Sequence, residues 1–563
     1  MDNIDQYQSA PSRLESLRLE MKKEGYDYYI IPHTDPHGSE YLPSHWEQIA
    51  WLTGFTGSAG TLIIGFEEAY LWTDSRYFLQ AERQLEKTGI TLIKIGSEES
   101  ILIKDFIKQK DKAHKTVAIC ALLSQSEYAP SVILTEDLLD RIWIERPTLP
   151  LTPIYLFEES YSGESAKIKL ERVRDKMILQ GETSLLLYKL DEIAWLLNIR
   201  GEDIPQNPVV ISFLLLKLES ADIYIEEDKL NDETRNYIRE LNIEIHPYKE
   251  IDPNRIIKSF SHTSPVEILK AIKNDTEING FHNAMKADGV AMVRFLMWLE
   301  SNLKFGKITE LGVADKLREL RSKGRLNRGE SFTTIAGYGP NGAIVHYSAS
   351  IESNTTLLPE GFLLVDSGGQ YLNGTTDLTR TISLGKMTEQ MRRDYTAVLR
   401  GTINLARAQF PTGTRGTQLD ILARMAIWQE GTNYLHGTGH GVGHFLNVHE
   451  GPQSIRMNEN PVTMRPGMVI SDEPGIYRTG SHGVRIENLL LVERRNKIEY
   501  GTFYGFETLT LCPIDTKPII REKIQPEELR YFNDYHKMVY EKLSPLLDDE
   551  ENQWLKEATK PIA

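Results

Sequence analysis

Phe362-Leu-Leu-Val-Asp-Ser-Gly-Gly-Gln-Tyr371 reads as a short apolar strand that delivers an aspartate into a glycine turn. Met468-Val-Ile-Ser-Asp-Glu-Pro-Gly-Ile-Tyr477 repeats the pattern. Asp366-Ser-Gly-Gly369-Gln-Tyr371 and Asp472-Glu-Pro-Gly475-Ile-Tyr477 share the spacing D-x-x-G-x-Y. Each is followed by a second strand carrying another acid, Asp377 or Glu487. Two strand–turn–strand units of this kind, facing each other across a pseudo-two-fold axis, bring pairs of acids together.

Asp366 and Asp377 are separated by Gly368, Gly369 and Gly374; Glu473 and Glu487 by Gly475, Gly480 and Gly483. A hairpin puts both members of each pair on one side. His440 lies in Gly437-Thr-Gly-His-Gly-Val-Gly443, too glycine-rich for a stable helix. His436 and His440 are therefore not a helical histidine pair. No His-Glu-x-x-His motif exists, and His449-Glu450 lacks the second histidine. Burying Asp366, Asp377, Glu473, Glu487 and His440 requires a balancing charge. Five such groups exceed what one ion needs if it must also hold substrate, and they suit two divalent cations bridged by carboxylates. Oxygen ligands favour manganese, with cobalt, iron or zinc as alternatives. His346 (in Gly339-Pro-Asn-Gly-Ala-Ile-Val-His-Tyr347), His436 and His449 cluster in glycine-rich loops of the same region and are candidate donors.

Working outward, Asn274 or Asp275 caps a long helix whose apolar face is Ile278, Phe281, Met285, Met292, Leu296 and Leu299. It opens the C-terminal domain, after a break at Ser261-His-Thr-Ser-Pro265. At the other end, residues 13–23 have helical spacing with Gly25 as a stop, and Tyr28–Pro32 reads as a buried strand. Strand and helix signals alternate to about residue 150, as in an α/β domain. The proline-rich Glu145–Pro153 reads as a linker. Ile49-Ala-Trp-Leu52, followed by Gly54, is echoed by Ile193-Ala-Trp-Leu196, followed by Gly201, which suggests a duplicated α/β fold. The expected domains are 1–153, 154–262 and 263–563, within the roughly four that the length allows.

The chain has 563 residues, 64 of them basic and 80 acidic, for a net charge of −16, which argues against a nucleic-acid partner. The longest apolar run, Val209–Leu216, is too short to span a membrane. The polar start, Met1–Ala10, resembles no targeting segment, so a cytoplasmic location is expected. Cys120 and Cys512 are too few and too far apart for a disulfide framework or a cysteine zinc site.

At Gly339–Tyr347, Val365–Tyr371, Asp377-Leu-Thr-Arg-Thr381, His436–Gly443, Asp472-Glu-Pro-Gly475 and Gly483-Val-Arg-Ile-Glu-Asn488, the sequence resembles aminopeptidase P, the Xaa-Pro aminopeptidases with the pita-bread fold. Trp51–Gly60 and Trp72–Tyr77 extend the likeness to the N-terminal region. The resemblance implies an α/β and α+β chain: two related N-terminal α/β (creatinase-like) domains and a C-terminal pita-bread catalytic domain. It implies that Asp366 chelates one metal, that Asp377 and Glu487 bridge two, and that His440 and Glu473 bind the second. His346, His436 and His449 handle substrate, and Arg485 orients a bridging carboxylate. The implied reaction removes the N-terminal residue from peptides with proline second, with Glu473 as the proton carrier and His436 as donor to the oxyanion. The N-terminal domains are implied to serve dimerisation and access, and Trp428 is a candidate interface residue. Two alternatives stand beside this one. A prolidase would cleave only Xaa-Pro dipeptides, and a non-catalytic pita-bread binding module would lack bound metal.

Overall fold

The computed structural model describes residues 9–123, 131–252, 255 and 264–563. Most of the polar start and the Ser261–Thr263 break lie outside these residues. The described parts of Met1–Leu156 and Ala166–Pro265 form one compact unit; Phe157–Ser165 and Val266–Ala563 form another.

In the first unit the helix Ala10–Glu24 buries Leu14, Leu17 and Met21 and ends at Gly25, whose φ of 77° lets its N–H close on Met21. Strand Tyr28–Pro32 is buried throughout, as expected. It is central to a six-stranded sheet, flanked antiparallel by Thr61–Gly65 and parallel by Val117–Cys120. The second sheet, with Ser184–Leu187, Phe213–Lys217, Ala221–Tyr224 and Ile243–His246, repeats four strands of the first. In both, two antiparallel pairings lead to one parallel pairing at an edge. The echoed Ile-Ala-Trp-Leu segments fall on equivalent helices, Gln48–Thr53 and Leu190–Leu197, so the repeat in the sequence marks a repeat in the fold. Residues 146–153 contain no regular element. Both cysteines are buried and free.

The second unit is built on the helix Asp275–Asn302. Asn274 and Glu277 form a reciprocal capping box at its start. Phe281, Met285, Met292 and Leu299 are buried along its length. Gly280 costs this helix about 1 kcal/mol of intrinsic propensity. It is needed for close approach: a Cβ there would sit 2.3 Å from the Asn373 carbonyl oxygen. The helix thereby packs against the turn between Gly369–Tyr371 and Gly374–Thr375, just ahead of Asp377. Phe157–Ser165, inside the expected domain 154–262, groups with the C-terminal unit. Phe157 is buried with its ring 5.7 Å from that of Phe445, and Asn274 donates to the Ser162 carbonyl, so the stretch packs with the C-terminal unit. No helix among the described residues is long and apolar enough to cross a membrane.

Candidate metal centre

Each half of the C-terminal unit carries its acids at the same place in a strand pair. Phe362–Ser367 runs antiparallel to Leu378–Ser383, with Asp366 opposite Thr379. Asp377 immediately precedes the returning strand, and the small hairpin 369–375 fills the gap. Val469–Asp472 runs antiparallel to Asn488–Ile498, with Asp472 opposite Asn488, and the hairpin of Gly475–Arg478 and His482–Arg485 fills its gap. Glu473 and Glu487 flank this second junction. The echo is therefore a true topological repeat, but it is one residue out of step with the cluster. Asp472, the residue equivalent to Asp366, is fully buried and neither of its oxygens has a hydrogen-bond partner among the described residues; burial pushes its carboxyl well up. Glu473, the next residue, is the one beside His440.

His440 sits in Gly439–Gly441, a strand fragment beside Val469–Asp472. The glycines permit contact of backbone on backbone: a Cβ at Gly439 would lie 2.0 Å from the Ser471 carbonyl oxygen. The His440 N–H donates to Ser471 Oγ, which donates in turn to Glu473 Oε1. His440 Nδ1 faces the Gly441 carbonyl at 2.9 Å. A carbonyl only accepts, so Nδ1 carries a proton and Nε2 is the nitrogen turned toward the carboxylates. Nε2 lies 3.4 Å from both Asp377 Oδ2 and Glu473 Oε1. The ligand atoms of Asp377, His440 and Glu487 fall within 4.8 Å of one another.

Arg485 is the positive charge built into this cluster. It is buried, and its Nη2 donates to Asp366 Oδ2 at 2.6 Å. Its Nε donates to Thr379 Oγ1, which donates to Glu487 Oε2 at 2.7 Å. It grips Asp366 and reaches Glu487 only through Thr379, because Arg485 lies on the inserted hairpin, which faces the first strand pair.

The electrostatics call for more positive charge. Burial pushes the Asp366 and Glu487 carboxyls up, Arg485 opposes this, and neighbouring acids add to it. Burial likewise pushes Glu473 up to about 7, partly offset by His440 and Arg485. Burial works to lower the His440 imidazole, but Asp377 and Glu473 outweigh it and push it up to about 9. Asp366 Oδ1 and Asp377 Oδ1 are buried with no hydrogen-bond partner among the described residues. Orphaned carboxylate oxygens beside an imidazole whose Nε2 faces them fit divalent cations.

The three expected substrate histidines sit on loops around the cluster. The His449 ring is 4.3 Å from that of His440 and nearly perpendicular to it. Val345, just before His346, accepts from Arg485 Nη1 at 3.4 Å. His436 Nδ1 meets the Gly437 carbonyl, and its Nε2 is 2.8 Å from the Tyr477 hydroxyl, which also accepts from Arg485. Tyr477 was not singled out as functional from the sequence, although it ends the D-x-x-G-x-Y echo. Arg380, inside the quoted Asp377–Thr381 motif, is another such residue: fully buried, it donates to the Glu487 carbonyl and to Asn488 Oδ1 and fixes that bend.

Residues 279–494 match metallopeptidase family M24, and 502–562 match the C-terminal region of peptidase M24. Residues 13–129 and 145–260 each match a creatinase/prolidase N-terminal domain. Probable Xaa-Pro aminopeptidase P of Coprinopsis cinerea is 38% identical over 98% of each chain. The chain belongs to the Xaa-Pro aminopeptidase P group of family M24. The protein of that name from Tuber melanosporum is also 38% identical, over 100% of both chains. Among solved structures, the X-prolyl aminopeptidase of Caenorhabditis elegans, described as a cytosolic enzyme with a di-nuclear active site, superposes with a TM-score of 0.94 at 33% identity, covering 99% of this chain and 100% of that one. The fold class expected from the sequence is thus that of its relatives: paired creatinase-type domains ahead of an M24 domain.

Proposed function

We propose that this chain is a dinuclear Xaa-Pro aminopeptidase, releasing the N-terminal residue from peptides with proline second. The observation that carries the reading is the convergence of Asp366, Asp377, His440, Glu473 and Glu487 from separate segments, in a chain aligned end to end with Xaa-Pro aminopeptidases. These five would hold two divalent cations, which when bound supply an activated water and polarise the scissile carbonyl. Manganese suits the oxygen-rich donor set.

The chain's own groups handle the protons. Glu473 Oε1, held by the Ser471 hydroxyl beside His440, accepts the water's proton. It then delivers that proton to the proline nitrogen, which has no hydrogen of its own and must leave as an amine. Both ring nitrogens of His436 have partners, so its role as donor to the oxyanion requires it to exchange Tyr477 for substrate. His346 and His449 bind the proline side of the peptide. Ile421, Met425, Trp428 and Leu435 leave an exposed apolar stripe near the His436 loop, which suits a homodimer. A cytoplasmic location fits the cytosolic relative. We place domain boundaries near 153 and 262, with Phe157–Ser165 assigned to the catalytic unit.

The test is cleavage of Arg-Pro-Pro and Xaa-Pro-Xaa peptides with manganese or with a chelator. The expected outcome is release of the first residue with manganese and none with chelator. Cleavage of Xaa-Pro dipeptides alone would make the chain a prolidase.

A further inference from the structure

Glu310 is fully buried, and no ion pair reaches it among the described residues. It begins the helix Glu310–Ser322, where the helix dipole favours a negative charge. Four donor groups converge on its carboxylate. The Tyr338 N–H reaches Oε1 at 2.7 Å, and Asn341 Nδ2 reaches Oε1 at 3.0 Å and Oε2 at 3.2 Å. The Tyr347 hydroxyl and the Thr355 N–H reach Oε2 at 2.9 and 3.0 Å. These donors bracket His346. Tyr338 and Asn341 precede it, Tyr347 follows it directly, and Thr355 closes the loop.

Within the loop, the Tyr347 hydroxyl also reaches Ser353 and the Asn341 amide also reaches Thr355 Oγ1. The loop's only regular element is the 3-10 segment Gly339–Ala343. On its other side it lies against the hairpin that carries Arg485. A Cβ at Gly483 would sit 1.7 Å from the Gly342 carbonyl oxygen, and Arg485 donates to Val345 while holding Asp366. The loop that carries His346 is thus held between Arg485 on one side and the buried Glu310 carboxylate on the other. We propose that Glu310 is the positioning residue that fixes His346 against substrate. This rests on the reading of His346 as a substrate-binding group.

The decisive variant is Glu310→Gln, which keeps the shape but turns one acceptor into a donor facing donors. The expected result is a drop of about tenfold to a hundredfold in kcat/KM for Xaa-Pro-Xaa peptides, with metal content per chain unchanged. In a His346→Ala background the same change should add less than about twofold, since the two act on one contact. Tyr347→Phe removes one donor and should show a smaller loss of the same kind; it decides the matter if Glu310→Gln does not fold. Independently of activity, the His346 ring signal in a spectrum of 15N-histidine-labelled protein, assigned by its loss in His346→Ala, should shift in Glu310→Gln while the His436 and His449 signals stay. If the wild type cleaves no Xaa-Pro peptide, the functional reading falls and the ring signal alone judges Glu310. An unmoved His346 signal, or a Glu310→Gln loss that multiplies fully with that of His346→Ala, overturns the proposal.

Discussion

Arg485 and Asp366 form a buried ion pair, Nη2 to Oδ2 at 2.6 Å, joining the inserted hairpin of one half of the C-terminal unit to the strand Phe362–Ser367 of the other. The same guanidinium reaches Tyr477, Thr379 and the Val345 carbonyl. One side chain therefore fixes a proposed ligand, the partner of His436 and the loop of His346. Arg485→Met should weaken metal binding about tenfold to a hundredfold and lower kcat further. A manganese titration followed by calorimetry checks it. Arg485→Lys should rescue little, because an ammonium cannot hold Asp366 and Tyr477 in one plane.

Glu473→Gln should reduce turnover by a factor of a thousand or more while leaving part of the metal bound. Metal analysis alongside initial rates separates a lost proton carrier from a lost ligand. Near-normal turnover would remove Glu473 from that role.

Gly439→Ala puts a methyl group 2.0 Å from the Ser471 carbonyl oxygen, where the backbone must shift. Ser471 holds both His440 and Glu473, so the change should cost about 2 kcal/mol of stability and weaken metal binding. Differential scanning fluorimetry with and without manganese reads both, and the stabilisation conferred by the metal should shrink.

Asp394 clamps the inserted hairpin to the helix Glu389–Ala406. Its carboxylate accepts from Arg478 at 2.8 and 2.9 Å and meets His482 Nε2 at 3.0 Å. Burial alone would raise its pKa, but Arg478 and His482 outweigh it and bring it down to about 2. A depressed folded-state pKa means stability that is present above the unfolded value near 3.9 and is lost as pH falls towards 2. The shift corresponds to about 2 kcal/mol. Asp394→Asn should lower the urea midpoint by a constant amount from pH 7 to 5, and the gap should narrow below pH 4. A gap that widens on acidification would contradict the clamp.

Much of this was legible in the sequence because the constraints were local. The capping residues of the helix Asp275–Asn302, the stop at Gly25 and the buried strand Tyr28–Pro32 follow from short-range chemistry. The D-x-x-G-x-Y echo found the paired strands because a repeated turn needs repeated turn residues. The echo aligns Asp472 with Asp366, whereas Glu473, the residue the resemblance points to, is the neighbour that meets His440. Glu310 and Asp394 drew no notice because their donors come from distant segments. Phe157–Ser165 was assigned to the preceding domain because its partners, Asn274 and Phe445, lie far along the chain.

The most direct test of the central claim is the number of divalent ions bound per chain, measured by mass spectrometry of the metal after chelation, manganese reloading and exhaustive dialysis. Convergence of Asp366, Asp377, His440, Glu473 and Glu487 on a dinuclear site predicts about two ions, falling in Asp377→Asn and Glu487→Gln. A wild-type chain that retains none, or one whose loading ignores both substitutions, would contradict it.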